Sequence, residues 1–469
     1  MIAVVNATWV GPGGVVASGT LAGAAGRLEL YPGSTPELPP ATTVLDGTGF
    51  LVFPGCTDAH VHFREPGQSA KEGIANGSRA ALAGGVTTVL DMPNNRPPCS
   101  TPARLEHKRA LFQRKSAVNW GLFVQASPDT AQWTVESLRT GSQEPNLREF
   151  DLRVPGRRGG SGLSRFERNG TGRTGFVGAK IYLARSSVLP ALRDPTVLRR
   201  IFETFSLVAV HAEDEREFRT GTDLPHHVAR PAGSIASALS LVEGTLRSLA
   251  PGLRPRVVIC HASSTEEIRW LVRMKDDGFD VWGETCPQYL WLMQDDYLLY
   301  GAGLKVNPPL RTTADAMALR HALRDGVLDF LSTDHAPHLP SEKGGSAPPS
   351  GMPGVEWYLP NAWRLVDDEG IGMERLLDVT CVAAARCYGL SGRDGLRPGN
   401  HADFVLVRTG RVAPHPRLPI TKAGYCPYSS SIGDCAWGLE VAATVVGGVL
   451  RFHEGRFLPG PPGQEVSTW

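Results

Sequence analysis

Eight short apolar segments recur along the middle of the chain, and each one ends in polar residues. Amphipathic stretches of helical length separate them, so strand and helix alternate through this region. Eight such units predict an α/β fold in which parallel strands close into a (β/α)8 TIM barrel surrounded by helices. The catalytic groups of such barrels lie at the carboxyl ends of the strands, where these polar residues occur. The predicted strands are residues 51–62, 86–92, 119–126, 178–184, 206–213, 256–262, 279–285 and 328–335.

The two ends of the chain differ from this middle region. Residues 1–53 and 395–469 contain short β-type runs broken by Gly and Pro, which predicts that they meet in one small composite β domain beside the barrel of residues 54–394. Residues 139–175 are rich in Gly and Arg and poor in apolar side chains, which predicts a flexible insertion. A binding role for the positive charge of this insertion is the alternative.

Charge and composition exclude several classes of protein. Lys and Arg together number 48 and Asp and Glu 47, so the net charge of +1 offers no excess for binding nucleic acid or an anionic membrane. No apolar run is long enough for a membrane span, and the N-terminus lacks the features of a secretory signal. The eight cysteines include no CxxC pair. We therefore expect neither a zinc finger nor a disulfide framework, and we predict a cytoplasmic protein.

An HxH pair ends the first predicted strand. His60 and His62 are two residues apart, so the period of a strand directs both imidazoles to the same side. Either histidine alone would more simply be an interior residue. However, His211, His261 and Asp334 end the fifth, sixth and eighth strands, at the same mouth of the predicted barrel. The five residues predict a metal site that suits Zn²⁺, with Mn²⁺, Co²⁺ and Fe²⁺ as alternatives.

Lys180 lies inside the fourth predicted strand, where a charged ammonium group is costly to bury. A neutral lysine amine reacts with CO₂ to form a carbamate, whose two anionic oxygens can bridge two metal ions. We therefore predict an N6-carboxylated Lys180 between two zinc ions, whereas the alternative is a lysine that extends to the barrel rim. Two metals would convert a bridging water to hydroxide at neutral pH. Asp334 would then transfer a proton to a leaving nitrogen, which is hydrolysis at an amide-like carbon.

Four further polar residues are candidates for contact with a substrate. Arg64 directly follows the HVHF segment, and a guanidinium holds a carboxylate through two parallel hydrogen bonds. Asn94 follows the second strand and Asn307 the seventh, so both offer neutral donors and acceptors. His338 lies four residues beyond Asp334 and can donate to the same carboxylate. These residues predict a small anionic substrate with a cleavable amide or ureide.

The motifs of the chain resemble those of dihydroorotase, in the amidohydrolase superfamily. The resemblance extends from about residue 50 to about residue 400 and leaves 139–175 unmatched. HxH is common to the superfamily, whereas REPG and DHAPH in one chain are much more specific. The EKGGSAPPSGMPGVE segment and the lysine of strand four most resemble the dihydroorotase domain of the animal multifunctional pyrimidine-synthesis protein. The motifs are HVHFREPG, AGGVTTVLDMPNNRPP, GAKIYLA, CHASSTEEI, NPPLR and STDHAPHLPSEKGGSAPPSGMPGVE.

The resemblance implies a zinc-dependent, reversible cyclisation of N-carbamoyl-L-aspartate to L-dihydroorotate in pyrimidine biosynthesis. It implies that Asp334 is the general acid and base, and that the four candidates above contact the substrate. Cys260 and Glu284 match the ligands of a third metal in the animal type. The implied ligands of the two zinc ions are His60, His62, Lys180, His211, His261 and Asp334.

Three features depart from the animal type. Asn307 stands where that type has an arginine, and residues 184–188 lack its Thr-Phe pair, which closes over substrate. The ETCPQYLWL segment resembles hydantoinases and allantoinases instead. The sequence therefore does not predict how the loops at 184–188 and 340–354 close.

Two alternative functions follow from these observations. One is a hydantoinase or allantoinase of the same fold, although such substrates lack a carboxylate for Arg64 to bind. The other is a non-catalytic scaffold relative, but proteins of that kind usually lose metal ligands, and all six are present here. We expect a homodimer that acts on a small molecule, binds no nucleic acid or membrane, and is a candidate for association with other enzymes of the pathway.

Overall fold

The structure is a computed structural model, and it contains a barrel and a separate sheet. The predicted insertion at residues 139–175 lies outside the described residues. The described residues are 1–127, 129–131, 176–186, 188–221, 224–412, 419–428 and 437–468.

The strands fall into two groups from the ends of the chain and one group from its middle. The strands of the N-terminal segment are β1 (Ile2–Val10), β2 (Val16–Ala24), β3 (Arg27–Pro32), β4 (Thr43–Asp46) and β5 (Leu51–Pro54). Those of the middle are β6 (Cys56–Val61), β7 (Val86–Asp91), β8 (Asn119–Gln125), β9 (Gly178–Tyr182), β10 (Leu207–His211), β11 (Arg256–Ala262), β12 (Val281–Thr285) and β13 (Phe330–Leu331). Those of the C-terminal segment are β14 (Phe404–Val412), β15 (Trp437–Val446), β16 (Val449–His453) and β17 (Arg456–Phe457).

The middle strands form the barrel that the alternating segments predict. Strands β6 to β13 are parallel neighbours in chain order. The N–H of His62 donates to the carbonyl of His335 at 2.8 Å, and this contact joins the exits of β6 and β13. The predicted (β/α)8 fold is therefore confirmed, as a nearly closed barrel.

Helices follow the barrel strands, and capping residues set where they begin. The Ser264 side chain accepts a hydrogen bond from the N–H of Glu266 at 3.3 Å, while Glu267 accepts from the N–H of Ser264 at 3.1 Å. This reciprocal capping box explains why the SSTEE sequence starts a helix. The described helices are α1 (Ile74–Ala83), α2 (Pro102–Lys115), α3 (Pro195–Thr204), α4 (His226–Ala229), α5 (Gly233–Ser248), α6 (Thr265–Asp276), α7 (Pro287–Trp291), α8 (Tyr297–Tyr300), α9 (Thr313–Arg324), α10 (Pro340–Lys343), α11 (Tyr358–Asp367), α12 (Met373–Leu377) and α13 (Ala383–Tyr388). Of these helices, none has the length and apolar character that crossing a membrane requires.

Both ends of the chain contribute to the second sheet. Its order is β17–β16–β15–β14–β5–β1–β2–β3, with β4 also beside β1. Strand β5 pairs antiparallel with β14, where Phe53 lies opposite Val405. The predicted composite β domain is therefore confirmed. The end of the chain returns to the barrel, because the N–H of Val466 donates to the carbonyl of Trp120 at 2.9 Å.

The first predicted strand, 51–62, is divided between the two sheets. Residues Leu51–Pro54 pair in the small sheet, whereas Cys56–Val61 pair in the barrel. The break falls at Gly55, where an added Cβ would overlap the side chain of Thr87. The backbone therefore passes against β7 at a point where only glycine fits.

The last predicted strand, 328–335, is much shorter in the structure. Only Phe330 and Leu331 have regular strand pairing. Beyond them the N–H of Thr333 donates to the buried Asp58 carboxylate at 3.0 Å, and Asp334 has a φ of 48°. Beyond Leu331, hydrogen bonds to side chains and a left-handed backbone therefore replace the hydrogen bonds between strands.

A buried carboxylate connects the barrel to the small sheet. Asp403, on the segment before β14, accepts hydrogen bonds from the Asn119 side chain at 3.0 Å and the Gly447 N–H at 2.6 Å. It also forms an ion pair with Arg393, and both charged side chains are about nine-tenths buried. Removing one partner of such a pair leaves an uncompensated buried charge.

We therefore predict that Asp403→Ala lowers the free energy of unfolding by about 3 kcal/mol, as measured by urea denaturation. Asp325→Ala is the matched control, because Asp325 also pairs with an arginine but is about half exposed. It should cost less than about 1 kcal/mol. Equal losses in the two variants would contradict the role given to Asp403.

Candidate active site

Three of the predicted ligands meet where β6 and β13 end. The Nε2 atom of His62 lies 2.9 Å from Oδ1 of Asp334, and Nε2 of His60 lies 3.5 Å from the same oxygen. Candidate donor atoms of the three residues all fall within 4.8 Å of one another. Each residue is at least nine-tenths buried, so water does not screen the group.

The hydrogen bonds on the far side of each imidazole show what the cluster requires. Nδ1 of His60 lies 2.5 Å from a carboxylate oxygen of Glu284, and Nδ1 of His62 lies 2.6 Å from Oδ1 of Asn94. Both partners accept, so both Nδ1 atoms carry the proton and both Nε2 atoms present lone pairs. Two imidazole lone pairs and the Asp334 carboxylate therefore face one another. This donor set fits a cation such as zinc.

Strands β10 and β11 supply a second pair of histidines. Nδ1 of His211 lies 3.0 Å from Nε2 of His261, and the ring centroids of His261 and His60 are 5.3 Å apart. The Nε2 of His211 faces a carboxylate oxygen of Glu213 at 3.0 Å and must donate to it, so Nδ1 is left as a lone pair. His211 and His261 would thus hold a second metal through Nδ1 and Nε2, respectively.

Three of the predicted histidine ligands have the protonation state that metal binding needs. Burial, followed by the charge of Lys180, lowers the pKa of His60 well below its usual value. Burial also lowers the pKa of His211, and that of His261 falls well below its ordinary range. Neutral imidazoles are the form that ligates metals.

Lys180 lies inside the barrel on β9. Its side chain is fully buried, so it does not extend to the rim. Its Nζ donates to Sγ of Cys260 at 2.7 Å and lies 5.3 Å from the ring centroid of Tyr182. The described contacts of this buried amine are therefore a thiol and an aromatic ring.

Cys260 and Glu284 form a second cluster with His60. Candidate ligand atoms of these three residues also lie within 4.8 Å of one another. Glu284 accepts from the N–H of His261 at 3.2 Å and from the Ser332 hydroxyl at 3.1 Å, and burial raises its pKa to about 7. Whether or not a third metal binds, these contacts orient His60 so that Nε2 faces Asp334.

Arg64 and His338 lie in contact beside the candidate metal site. The Arg64 side chain is buried, one of its terminal nitrogens lies 3.2 Å from Nε2 of His338, and its Nε has no hydrogen-bond partner among the described residues. Nδ1 of His338 accepts from Lys71 at 3.1 Å, so the Nε2–H donates to the Ser350 carbonyl at 3.1 Å. Burial, followed by the charge of Arg64, lowers the pKa of His338 to about 3. A neutral imidazole has one acceptor, and Lys71 occupies it, so Arg64 keeps free donors.

The two predicted asparagines have different surroundings. Asn94 contacts a predicted ligand, His62. Among the described contacts, Asn307 instead meets His226, whose Nε2–H lies 3.0 Å from the amide oxygen and 2.8 Å from the carbonyl of Val306. Both asparagines thus use their oxygens within the protein and have amide N–H groups left to donate.

Sequence reasoning missed several residues that the fold brings to this mouth. Glu213 follows His211 by two residues, a spacing that places both on one side of the chain. Tyr182 follows Lys180 by two, and its hydroxyl is buried without a hydrogen-bond partner. Those signals were present in the sequence. His226 and Arg230 follow no barrel strand directly, so only tertiary structure brings them in.

The loop at 340–354 is fixed by lysines. Nζ of Lys343 donates to the carbonyls of Lys305 and Pro349, each at 3.1 Å, and Nζ of Lys305 donates to the carbonyl of Pro348 at 2.9 Å. The N–H of Gly351 also donates to the carbonyl of Lys305, at 2.8 Å. These bonds hold the loop next to His338.

Known proteins share sequence and fold with this chain. The sequence profile of the group described as the Amidohydrolase family matches residues 51–157 and 285–450 of this chain. A dihydroorotase from Halobacterium salinarum is 34% identical over 386 residues, which cover 78% of this chain and 80% of that protein. An allantoinase from Bacillus velezensis is 31% identical over 373 residues, with coverages of 78% and 77%. The structure of L-hydantoinase (dihydropyrimidinase) from Arthrobacter aurescens matches with a TM-score of 0.81 and 21% identity over 99% of both chains, which shows the shared fold.

The candidate metal centre leads to a prediction about zinc binding. His60 belongs to both ligand clusters, so His60→Ala should lower zinc affinity by more than the roughly 100-fold that losing an orienting partner costs. Metal analysis and zinc titration of the purified variant measure this. His453→Ala on β16, an exposed histidine, is the control and should keep the wild-type zinc content. Unchanged zinc binding in His60→Ala would argue against the site.

Lys343 leads to a prediction about pH. Burial, followed by the charges of Lys305 and Arg64, lowers the pKa of Lys343 from 10.5 to about 7. Between these values the unfolded chain binds the proton and the folded chain does not, so the free energy of unfolding rises with pH. Lys343→Met should flatten this rise between pH 7 and 10.5 in urea denaturation. Lys422→Met removes an exposed lysine that also donates to a carbonyl, and it should keep the wild-type slope.

Proposed function

Because the chain belongs to the amidohydrolase family, we propose that it is a dihydroorotase that interconverts N-carbamoyl-L-aspartate and L-dihydroorotate in pyrimidine synthesis. Hydrolysis of a cyclic amide is the broader activity that its dihydroorotase and allantoinase relatives support. The choice of substrate within that class depends on the side chains beside the metal cluster.

The observation that carries the proposal is the burial of the Arg64 guanidinium without an ion pair to a described carboxylate. The residue is 5% exposed, yet no carboxylate lies within ion-pair distance of its guanidinium among the described residues. Burying a cation without a counter-ion is unfavourable, so this position calls for an anionic ligand. A carboxylate on the substrate would accept two parallel hydrogen bonds from the fork of the guanidinium. The free amide N–H groups of Asn94 and Asn307 have the same donor character.

The residues of the barrel mouth would bind metal and transfer the protons of the reaction. His60, His62, His211, His261 and Asp334 would hold zinc, which when bound would supply an acidified water and polarisation of the ring carbonyl. Asp334 would take the proton from the attacking water and pass it to the ring nitrogen as the C–N bond breaks. In the reverse direction, the same carboxylate would take a proton from the ureido nitrogen as it forms the C–N bond, and would return it to the carboxyl oxygen that leaves as water. Arg64 would hold the substrate carboxylate in place during both steps.

We also propose that Lys180 carries a carbamate. The amine, in its neutral form, would add to CO₂, forming an N–C bond and releasing one proton, so that the buried neutral side chain becomes an anion. The contact of its Nζ with Cys260, the residue before His261, and the pairing of β9 with β10, which ends at His211, support its proximity to that histidine pair. An anion there would offset part of the charge of two metals.

Finer features of the proposal rest on sequence. The lysine of strand four and the EKGGSAPPSGMPGVE segment support likeness to the animal-type domain, although the relatives reported above are archaeal and bacterial. The cysteine pattern supports a reducing cytoplasm, and a homodimer is the expected assembly.

A substrate panel tests the proposal. Purified protein, with zinc and bicarbonate supplied, should contain about two zinc ions per chain and open dihydroorotate but not hydantoin or allantoin. Arg64→Met should lower kcat/KM for dihydroorotate by about 10- to 100-fold, the value of hydrogen bonds to a charged group. Its matched control is Arg269→Met, which removes an exposed arginine on α6 and should leave turnover unchanged.

The outcomes distinguish the alternatives. Zinc binding with turnover of a neutral ring would favour a hydantoinase or allantoinase and contradict the role of Arg64. Neither metal nor turnover would favour a scaffold relative.

A further inference from the structure

Glu213 lies between a predicted metal ligand and an arginine. One of its carboxylate oxygens, Oε2, lies 3.0 Å from Nε2 of His211 and 2.5 Å from a terminal nitrogen of Arg230. The other oxygen accepts from Nε of Arg230 at 3.1 Å. Glu213 is fully buried, so both partners are needed to satisfy its charge and lone pairs.

The contact with Glu213 determines which nitrogen of His211 is available. A carboxylate facing an arginine accepts hydrogen bonds, so Nε2 of His211 carries the proton and Nδ1 does not. Nδ1 then points its lone pair towards Nε2 of His261, 3.0 Å away. The opposite tautomer would place a proton on Nδ1, in the position that a metal between the two imidazoles needs.

Arg230 is itself held in place from three sides. Its guanidinium carbon lies 4.1 Å from the ring centroid of Phe218, and its N–H donates to the carbonyl of His226 at 3.1 Å. Its own carbonyl accepts from a terminal nitrogen of Arg311 at 2.6 Å. The arginine is therefore a fixed partner for Glu213 rather than a mobile surface charge.

We propose that Glu213 and Arg230 are a positioning pair that holds His211 with Nδ1 free for metal, and so sets the affinity of the His211–His261 metal position. The inference rests on the metal centre of the proposed function but not on the identity of the substrate. Arg230 supplies the counter-charge, and its rigid fork fixes the carboxylate plane that faces the histidine.

The test is a titration of metal-free protein with Co²⁺. Calorimetry and visible absorption monitor the binding. Glu213→Gln keeps the size of the side chain but removes its charge, and it should weaken binding at one of two positions by about 10- to 100-fold. Arg230→Met should weaken the same position. Arg230→Lys, which keeps the charge but not the fork, should restore part of the affinity.

The matched control is Arg216→Met. Arg216 forms a similar forked pair with Asp214, the residue after Glu213, but Asp214 has no described contact with a histidine. This variant should bind Co²⁺ as the wild type does. Circular dichroism of each metal-free variant checks that it is folded, and Glu213→Gln and Arg230→Lys provide conservative changes if Arg230→Met does not fold.

Three results would overturn the inference: wild-type Co²⁺ affinity in both Glu213→Gln and Arg230→Met, an equal loss in Arg216→Met, or a wild-type protein that binds no metal. No substrate enters the titration. A wild type that binds Co²⁺ but does not open dihydroorotate would therefore contradict the proposed function and leave this test intact.

Discussion

The mouth of the barrel brings together imidazole lone pairs and a buried carboxylate, an arrangement that a cation would stabilise. The outer nitrogens of His60 and His62 donate to Glu284 and Asn94, which leaves their inner nitrogens as lone pairs facing Asp334. Lone pairs and a carboxylate repel one another at these distances when no positive charge lies among them. Burial excludes the water that would otherwise screen them. The histidines, the carboxylate and their outer partners therefore make sense together as a metal centre.

The rest of the fold serves to keep that arrangement fixed. The contact between the His62 N–H and the His335 carbonyl joins the two strands that supply opposed ligands. Left-handed backbone at His261 and Asp334, with φ of 43° and 48°, costs free energy that the surrounding barrel must supply. Strain of this kind concentrates at sites where side-chain direction matters more than strand regularity.

Much of the architecture follows from local pattern. Alternation of apolar strands and amphipathic helices predicts the barrel, because each unit can bury its apolar face only by packing beside the next. The pattern failed where neighbours in space decide the path: Gly55 divides one apolar run between two sheets because Thr87 lies against it, and Asp58 captures the N–H of Thr333 where a strand was expected. Neither Thr87 nor Asp58 is near its partner in sequence.

The sequence by itself determined the fold class and the strand ends that carry histidine, lysine and aspartate, because strand periodicity is a local property of the chain. Tertiary structure decided the state of those groups. It showed which partners the histidine nitrogens face, that Arg64 forms no ion pair with a described carboxylate, and that Asn307 contacts His226. Protonation and hydrogen-bond direction depend on partners far away along the chain, as where Glu213 connects Arg230 to His211. Folding alone brings such partners together.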